Sequence, residues 1–302
     1  MTPVTAVVVT FNSSATIARC LASIPASVDL VVIDNHSSDD TVSVVTDLRP
    51  GAHLVRQTEN LGFAGAVNAG VERAPDDTDI LLVNPDAAVA PGAVSALSTF
   101  LSEHPGAGAV SARIVDPAGR TETVSAGWEP SLLRVTVDSL GAGRPARHAL
   151  YDAVSGGPPV TRDWVAMTCV LVGRSAWVDV GPLDESYFLY CEDVDWCGRA
   201  RARGWDIWIV PDVVAVHERS ASVGSAGPWV DKHRIGSLDR YYSRTHGRIS
   251  LTTFRAVRAS GLALRAAAFG LRGWAQSDAE ERARAVQRWR DARLALAPEG
   301  DK

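Results

Sequence analysis

The densest group of side chains that could do chemistry lies between Asp184 and Gly204, in the stretch DESYFLYCEDVDWCGRARARG. Its charged members are, in order, Glu192, Asp193, Asp195, Arg199, Arg201 and Arg203. A carboxylate in a cleft can act as a general base when an electrophile lies opposite. A charged helix fits the stretch as well, because carboxylates suit its first turn and guanidiniums its last. By itself the stretch favours the charged helix, so the rest of the chain must supply the cleft and the electrophile.

Polar side chains also follow four short apolar runs in the first third of the chain. The runs are residues 4–9, 30–33, 53–56 and 79–83. The polar residues after them are Thr10, Asn12, Asp34, Asn35, Asn60, Asn84 and Asp86. If the runs are parallel strands, their carboxyl ends meet at one edge of a sheet, where ligands bind. Each Asn or Asp alone is a common turn former, but four polar strand ends together predict a site for a sugar or a base.

The elements that must position these residues follow the order of a doubly wound α/β fold. Helices are predicted over residues 14–24, after 36–40, over 64–73 and over 91–103, with Ser14 as the first N-cap. This alternation with short loops predicts a mostly parallel central sheet flanked by helices. Further strands are predicted over 110–115, 163–172, 205–210 and 213–216, an irregular loop over 120–160, and helices beyond Trp229. No GxGxxG or GxxxxGK[ST] motif occurs, so neither the usual dinucleotide fold nor a P-loop kinase is indicated.

The composition is ordinary for a soluble globular protein. Of 302 residues, 46% are hydrophobic and 22% charged, and the mean hydropathy is +0.01. No run of eighteen uncharged apolar residues occurs, so we predict no transmembrane helix. The first apolar stretch lacks a preceding basic region and is interpreted as a strand rather than a signal peptide. The cysteines Cys20, Cys169, Cys191 and Cys197 show neither a CxxC pair nor zinc spacing, which predicts free thiols in a reducing cytoplasm.

Positive charge is concentrated near the C-terminus. Residues 232–277 carry nine Lys or Arg and one acid, Asp239, a net charge of +8 in a chain whose total is −5. An acidic body with a basic segment suggests an anionic surface as partner. Residues 251–274 contain four arginines and no acid, which fits a helix lying on an anionic membrane. They fit equally a helix whose arginine stems cover apolar surface of the protein.

Two of the residues at strand ends have the chemistry of metal ligands. A divalent cation bound to a nucleoside diphosphate needs a carboxylate just after a strand and one or two further donors. Asp86 follows the run LLVNP, and His217 follows VVAV. A lone histidine at a strand end is more often structural, but its coincidence with Asp86 and the acidic stretch favours a metal site. Asp193 would then lie across the cleft as the base.

Six motifs together resemble the family 2 glycosyltransferases of the GT-A fold, which is Rossmann-like, and within them the bacterial rhamnosyltransferases that use dTDP-L-rhamnose. They cover about residues 4–220 in the family's order. The motifs are VVVTFNSSATIARCLASI, VVIDNHSSDDT, NLGFAGAVNAG, LLVNPDAAV, DWVAMTCVLVGRSAW and DESYFLYCEDVDWCGRARARGW.

The resemblance implies a role for each matched site residue. Thr10, Phe11 and Asn12 would line the nucleotide pocket, with Asp34 and Asn35 at the base and ribose. The wall beside the diphosphate would be formed by Asn60, Gly62, Phe63 and Asn68. Asn84-Pro85-Asp86 takes the place of the DXD motif, with Asp86 and His217 as ligands of Mg²⁺ or Mn²⁺. In the catalytic pair, Asp193 would be the base and Glu192 would help to hold the acceptor or the base.

Two positions depart from the family's pattern. Asn84 stands where many relatives have a first Asp, and one fewer negative charge would weaken a metal site. Glu218 stands where a second His is frequent. Asp195 is interpreted as structural. The aromatic side chains at 187–190 and Trp164 offer apolar faces for a sugar ring, although such residues more often belong to the core.

The resemblance also implies an organisation and a reaction. Residues 1–228 would form the glycosyltransferase domain, with 1–105 binding the nucleotide sugar and 106–228 the acceptor, and residues 229–302 a basic helical extension near the membrane. Asp193 would deprotonate an acceptor hydroxyl that attacks the anomeric carbon with inversion. The expected acceptor is a lipid-linked or cell-envelope glycan at the cytoplasmic face of the membrane. No nucleic-acid partner is expected, and a homodimer stays open.

Three alternatives remain at this point. The same catalyst could serve a soluble acceptor, such as a secondary metabolite or a capsule fragment, or transfer another nucleotide-activated sugar. A nucleotide-sugar-binding protein without catalysis is kept open by Asn84. A nucleotidyltransferase also places carboxylates after strands, but it would need a Gly- and Lys-rich loop near the first strand, and TFNSS is not one.

Overall fold

In a computed structural model of the chain, which describes residues 2–140, 150–152, 154–218, 227–275 and 278–296, four parallel strands form one half of a central sheet. They are β1 (Val4–Thr10), β2 (Asp29–Asp34), β3 (His53–Arg56) and β4 (Asp79–Val83), and they lie in the order β3-β2-β1-β4. Every residue of β4 is buried. Apolar runs of this kind are typical of parallel strands covered by helices on both faces.

The other half of the sheet is mixed. Its strands are β5 (Ala87–Val89), β6 (Ala107–Val115), β8 (Val160–Thr161), β10 (Cys169–Val172) and β11 (Asp206–His217). β10 lies antiparallel between β4 and β6, so β6 points the same way as β4, and β11 pairs parallel with β6. A separate antiparallel pair joins β7 (Ala126–Gly127) to β9 (Trp164–Val165). The predicted α/β class with a mostly parallel central sheet is confirmed.

Helices alternate with the strands. Those between strands are α1 (Ile17–Ser23), α2 (Thr41–Leu48), α3 (Gly62–Val71), α4 (Ala93–Glu103), α5 (Leu132–Leu140), α6 (Arg174–Val180) and α7 (Glu192–Ala202). The last two are α8 (Gly227–Ala275), with a non-helical residue at Gly247, and α9 (Ala279–Leu296). The main core lies between the sheet and its helices and includes Val8, Leu21, Val32, Leu81, Leu97 and Val110. The four cysteines are free, as predicted.

Four details differ from the sequence-based expectations. The first helix is not capped by Ser14 and begins at Ile17, because the Ser13 carbonyl accepts the N–H groups of Thr16 and Ile17. The strand expected over 163–172 is two short strands, β9 and β10. The two strands expected over 205–216 are one, because a register shift between Val210 and Val214 accommodates Pro211 inside β11. The irregular loop expected over 120–160 contains α5, whose amphipathic pattern the glycines around it obscured.

The described residues form two compact units, one within 1–127 and 153–226 and the other within 128–152 and 227–302. The second unit is helical. Its core contains Val135, Leu150, Tyr242 and Phe254, with the rings of Tyr242 and Phe254 stacked at 4.1 Å. No helix in the described parts of the chain has both the length and the apolar character that crossing a membrane requires.

A buried ion pair lies inside α8. The Asp239 carboxylate accepts hydrogen bonds from Arg255 Nε at 2.7 Å and from Arg258 at 2.9 Å. The side chains of Asp239 and Arg258 are 3% and 7% exposed, and burial lowers the pKa of Arg258. Removing one partner from such a pair leaves an uncompensated buried charge, which is strongly destabilising.

Replacing this buried carboxylate therefore tests the packing of α8. We expect Asp239→Asn to lower the stability of α8 by about 3 kcal/mol, because Arg255 and Arg258 lose their common counter-charge. The matched control is Glu280→Gln, since Glu280 also pairs with an arginine, Arg284, but is 73% exposed, and its change should stay within about 0.5 kcal/mol. Hydrogen exchange of the amides of α8, which contains Asp239, and of α9, which contains Glu280, is followed in the full chain at increasing urea. It measures the change in stability that each substitution causes. Equal effects of the two changes would contradict the structural role of Asp239.

Candidate active site

The polar strand ends lie along one edge of the central sheet. β1, β2, β3 and β4 run parallel, and β6 and β11 point the same way. The carboxyl ends of all six therefore share that edge, which is where α/β sheets bind ligands. Thr10 and Asp34 end their strands, His217 ends β11, and Asp86 follows β4 by three residues. The predicted site residues form three groups, of which the first two lie at strand ends on this edge and are held together by hydrogen bonds.

The first group joins the ends of β1 and β2. Thr10 Oγ1 donates to Asp34 Oδ1 at 3.2 Å, and both residues are buried. Asn12, at φ 49°, accepts the backbone N–H of Ser38 at 2.8 Å and so fixes the loop after β2. Phe11 is 43% exposed, which leaves its ring available to a planar ligand. A buried carboxylate at one strand end and an exposed aromatic ring just after the neighbouring strand end can together bind a ribose hydroxyl and a base.

The same group extends to the turn before α3 through two amide side chains. The buried Asn35 donates from Nδ2 to Asn60 Oδ1 at 2.8 Å and to the Gly62 carbonyl at 3.1 Å. Asn35 Oδ1 accepts the Leu61 N–H, and Asn60 Oδ1 accepts the Gly62 N–H, each at 2.9 Å. These bonds satisfy the buried amide and fix the backbone of residues 60–62 against the end of β2.

The second group centres on His217. Its Nε2 lies 3.2 Å from Asp86 Oδ1, and its Nδ1 lies 3.1 Å from Glu122 Oε1. Burial acts to lower the pKa of His217, but the hydrogen bonds to Asp86 and Glu122 outweigh it and raise the pKa to about 9. The backbone also joins the group, because the Glu218 N–H donates to the Asp86 carbonyl at 2.9 Å. Asn84 fixes this turn by donating its N–H to the Thr168 carbonyl at 2.9 Å.

Glu122 is the site residue that sequence reasoning missed. It follows the tight turn at 116–119, and its N–H donates to the Ile114 carbonyl, so it returns beside the end of β6. The signal was a turn signature directly after a strand, followed by an acid where the chain folds back. A pocket of about 380 Å³ opens here, lined by Asp116, Pro117, Arg120, Thr121, Glu122, Thr123, His217 and Glu218.

The third group is the carboxylate pair that begins α7. Glu192 is 6% exposed, and within the described residues its Oε2 has no hydrogen-bond partner. Burial raises the pKa of Glu192 well above its usual range, and the adjacent Asp193 charge adds to the shift. Burial also raises the pKa of Asp193, to about 6, against the opposing hydrogen bond from the Val194 N–H. Two neighbouring carboxyls with raised pKa values are typical of proton-transfer sites.

The rest of the acidic stretch is structural. Asp195 Oδ2 accepts a hydrogen bond from Arg199 Nε at 2.8 Å, and the Arg199 guanidinium also donates to the Val180 and Pro182 carbonyls. The carboxylates lie in the first turn of α7 and the arginines in the last, as predicted. Tyr187 and Trp164 are 0% and 6% exposed, so the core interpretation of these two rings is confirmed.

Helix α3 is bonded directly to the segment that leads into α7. The Phe63 N–H donates to the Phe188 carbonyl at 2.9 Å. The buried Asn68 amide exchanges two hydrogen bonds with the Leu183 backbone, at 2.9 and 3.0 Å, and donates to Glu185. Gly62, with φ 75°, leaves room for this approach, because a Cβ there would lie 2.4 Å from the Phe188 oxygen. The first and third groups are therefore mechanically joined.

The donor set of the second group fits one divalent cation in part. Asp86 Oδ1 and His217 Nε2 face each other at 3.2 Å, with side chains 11% and 14% exposed. Glu122 lies at the opposite edge of the imidazole, and no group of three or more His, Cys, Asp or Glu side chains in the described ranges could hold a metal ion. Two protein donors plus phosphate oxygens of a ligand are a common way to bind Mg²⁺ or Mn²⁺.

Comparisons with known proteins identify the family of this α/β chain with its polar strand ends. The model of the family "Glycosyl transferase family 2" matches residues 5–147. An N-acetylglucosaminyl-diphospho-decaprenol L-rhamnosyltransferase of Mycobacterium tuberculosis is 33% identical over 236 residues, covering 72% of this chain and 76% of the relative. The low-salt glycan biosynthesis hexosyltransferase Agl10 of Haloferax volcanii is 25% identical over 255 residues, covering 82% and 79%.

Solved structures agree on the fold. The crystal structure of GalNAc-T7 with UDP, GalNAc and Mn²⁺ superposes with a TM-score of 0.59 at 15% identity, covering 85% of this chain and 54% of that chain. The chain thus spans about half of that structure, and the likeness concerns the fold. The chain belongs to glycosyl transferase family 2, has the GT-A fold and is a glycosyltransferase.

The close approach at Gly62 yields a test of the joint between the first and third groups. We expect Gly62→Ala to reduce glycosyl transfer at least ~10-fold, because its methyl group would displace the Phe188 carbonyl and with it the loop before α7. The positive φ adds about 1 kcal/mol of instability. Gly51→Ala is the control, since a Cβ there has no atom within 4 Å. The transfer rate and the thermal unfolding temperature are measured for both variants. Wild-type activity in Gly62→Ala would show that transfer does not depend on this contact between α3 and the segment before α7.

Proposed function

We propose that this glycosyltransferase transfers L-rhamnose from dTDP-L-rhamnose to a hydroxyl of a polyprenyl-linked, cell-envelope glycan. The observation that carries the proposal is the 33% identity, over 72% of the chain, with a mycobacterial enzyme named for L-rhamnosyl transfer to a diphospho-decaprenol acceptor. Agl10, whose name gives it a role in glycan biosynthesis, supports a glycan acceptor more broadly.

The donor would bind along the first and second groups. Asp34 and Asn35 lie at the end of β2 and bond to Thr10, the residue before the exposed Phe11, which suits the base and ribose. Asp86 and His217 lie at the ends of β4 and β11 on the same sheet edge, which suits the diphosphate. When bound by Asp86 and His217, Mg²⁺ or Mn²⁺ would neutralise charge on the leaving diphosphate.

The proton-transfer step would belong to Asp193. Its carboxylate takes the proton of the acceptor hydroxyl as the oxygen bonds to the anomeric carbon and the bond to the diphosphate breaks. One displacement inverts the anomeric configuration. The raised pKa of Asp193, about 6, makes it a stronger base than an exposed aspartate while leaving it ionised at neutral pH. The buried Glu192 next to it would hold the base or the acceptor.

The base assignment yields a mutational and a pH test. Asp193→Asn should bind dTDP-L-rhamnose with unchanged affinity in a thermal-shift titration but lose transfer by about 10³-fold, within the usual range for a general base. In the wild-type enzyme, kcat/KM should fall about tenfold per pH unit below pH 6, because the protonated carboxyl cannot accept a proton. Asp206→Asn, an exposed carboxylate at the start of β11, is the control.

Three outcomes would contradict parts of the proposal. Full transfer by Asp193→Asn would mean that another group is the base. Stabilisation of the wild-type protein by UDP sugars in preference to dTDP-L-rhamnose would overturn the donor. Transfer with equal efficiency to a soluble acceptor would overturn the lipid-linked acceptor.

A peripheral contact with an anionic membrane forms part of the proposal, because the acceptor is lipid-linked. On one side of α8, Arg255 and Arg258 pair with Asp239, and Arg265 donates to the Asp138 carbonyl, so these arginines serve internal packing. The other side exposes Leu264, Leu271 and Trp274, whose exposed fractions are 62%, 68% and 81%. Their spacing of seven and three residues places them on one helical face. Apolar side chains and an interfacial tryptophan suit insertion into a headgroup layer.

Vesicle binding tests this surface. Full-length protein should sediment with phosphatidylglycerol vesicles, and Leu271→Ser with Trp274→Ala should weaken the binding at least ~10-fold, because two exposed apolar side chains are lost. Val178→Ser is the matched control, since Val178 is 71% exposed but lies on α6. Absence of wild-type binding, or an equal loss in Val178→Ser, would remove the membrane contact from the proposal and leave the catalytic site unaffected.

A further inference from the structure

We infer that Glu122 is a positioning residue for the metal site: its carboxylate holds the Nδ1–H of His217, so that Nε2 faces Asp86 and the ion between them. The inference rests on the proposed metal role of Asp86 and His217. It adds a residue to which neither the sequence motifs nor the comparisons assign a role.

The geometry around the imidazole supports this division of roles. Asp86 Oδ1 lies 3.2 Å from Nε2 and Glu122 Oε1 lies 3.1 Å from Nδ1, so the two carboxylates face opposite edges of the ring. Because the ring lies between them, one ion cannot contact both carboxylates and the imidazole at bonding distance. A cation replacing the Nε2 proton would leave the bond from Nδ1–H to Glu122 intact.

The backbone fixes both partners beside the end of β6. The Glu122 N–H donates to the Ile114 carbonyl at 2.9 Å, and Thr121 forms a bridge with Val115. His217 follows Val216, which pairs with Val115, and itself pairs with Ala87, the neighbour of Asp86. Three side chains from separate segments are therefore brought together by strand pairing. Their burial, with 8% of the Glu122 side chain exposed, limits alternative ring orientations.

The chemistry explains why the position needs a carboxylate. A metal-binding histidine usually donates its second ring N–H to a carboxylate, a carbonyl or a water molecule. That bond selects the tautomer whose other nitrogen has a free lone pair, and it makes the nitrogen a better donor. Loss of such a partner typically weakens metal binding by about 10–100-fold without removing any ligand.

Manganese binding by the full-length protein tests the inference. Electron paramagnetic resonance of Mn²⁺ titrated against each variant, at one fixed concentration of dTDP that supplies the phosphate oxygens, gives its dissociation constant. We expect Glu122→Ala to bind Mn²⁺ about 10–100-fold more weakly than the wild-type protein. Glu122→Gln should fall closer to the wild-type value, because its amide oxygen can still accept the Nδ1–H. Asp86→Asn should bind most weakly, and Glu103→Gln, an exposed carboxylate on α4, should match the wild-type protein.

The outcomes separate the inference from the proposal beneath it. If Glu122→Ala lowers the melting temperature without ion but leaves the Mn²⁺ dissociation constant unchanged, Glu122 is only structural and the inference fails. If Glu122→Gln abolishes binding as completely as Asp86→Asn, Glu122 is a direct ligand and the positioning role fails. If the wild-type protein binds no Mn²⁺, the ion on Asp86 and this inference both fail, whereas glycosyl transfer measured in EDTA then decides whether the enzyme acts without an ion.

Discussion

Parallel strand pairing is the constraint on which the site depends. The pairing of β1 with β2 and β4, and of β6 with β11, carries the ends of strands distant in sequence to a single edge. Asp86 and His217, which are more than 130 residues apart in sequence, therefore meet at this edge. The antiparallel β10 between β4 and β6 preserves this polarity.

The first and third groups of site residues differ in how completely their buried polar atoms are hydrogen-bonded. Around Asn35 and Asn60, amide side chains fix backbone and leave few buried polar atoms without partners. Around Glu192, the fold buries a carboxylate oxygen that has no partner among the described residues. Residues 60–62, whose polar groups are hydrogen-bonded, are thus linked to the segment before Glu192. The link is the hydrogen bond from the Phe63 N–H to the Phe188 carbonyl. Burying a carboxyl oxygen without a hydrogen-bond partner costs free energy that the rest of the fold must offset.

Much of the architecture could be predicted from the sequence, because apolar runs and polar strand ends are local signals. The runs of β1, β2 and β4, and the charge order of α7, fall where pattern places them. The turn before Glu122 is also a local signal, but its contact with His217 is not, since that contact depends on the pairing of β11 with β6. The partner of Asn68 was equally hidden, because Leu183 contributes only backbone. Local sequence patterns predict the helices and strands. The register of strand pairing and the backbone partners of side chains such as Asn68 are determined only by the tertiary fold.

The unpartnered oxygen of Glu192 has a consequence for the whole molecule. A carboxyl whose pKa is higher in the folded than in the unfolded chain favours folding below its unfolded pKa, and this contribution is lost as pH rises through the folded value. Both Glu192 and Asp193 are shifted in this direction. The ionised form that the proposed base role of Asp193 requires is therefore the form in which this residue opposes folding. A rise in pH would therefore increase the ionised fraction of Asp193 and lower the contribution of these two carboxyls to the stability of the fold.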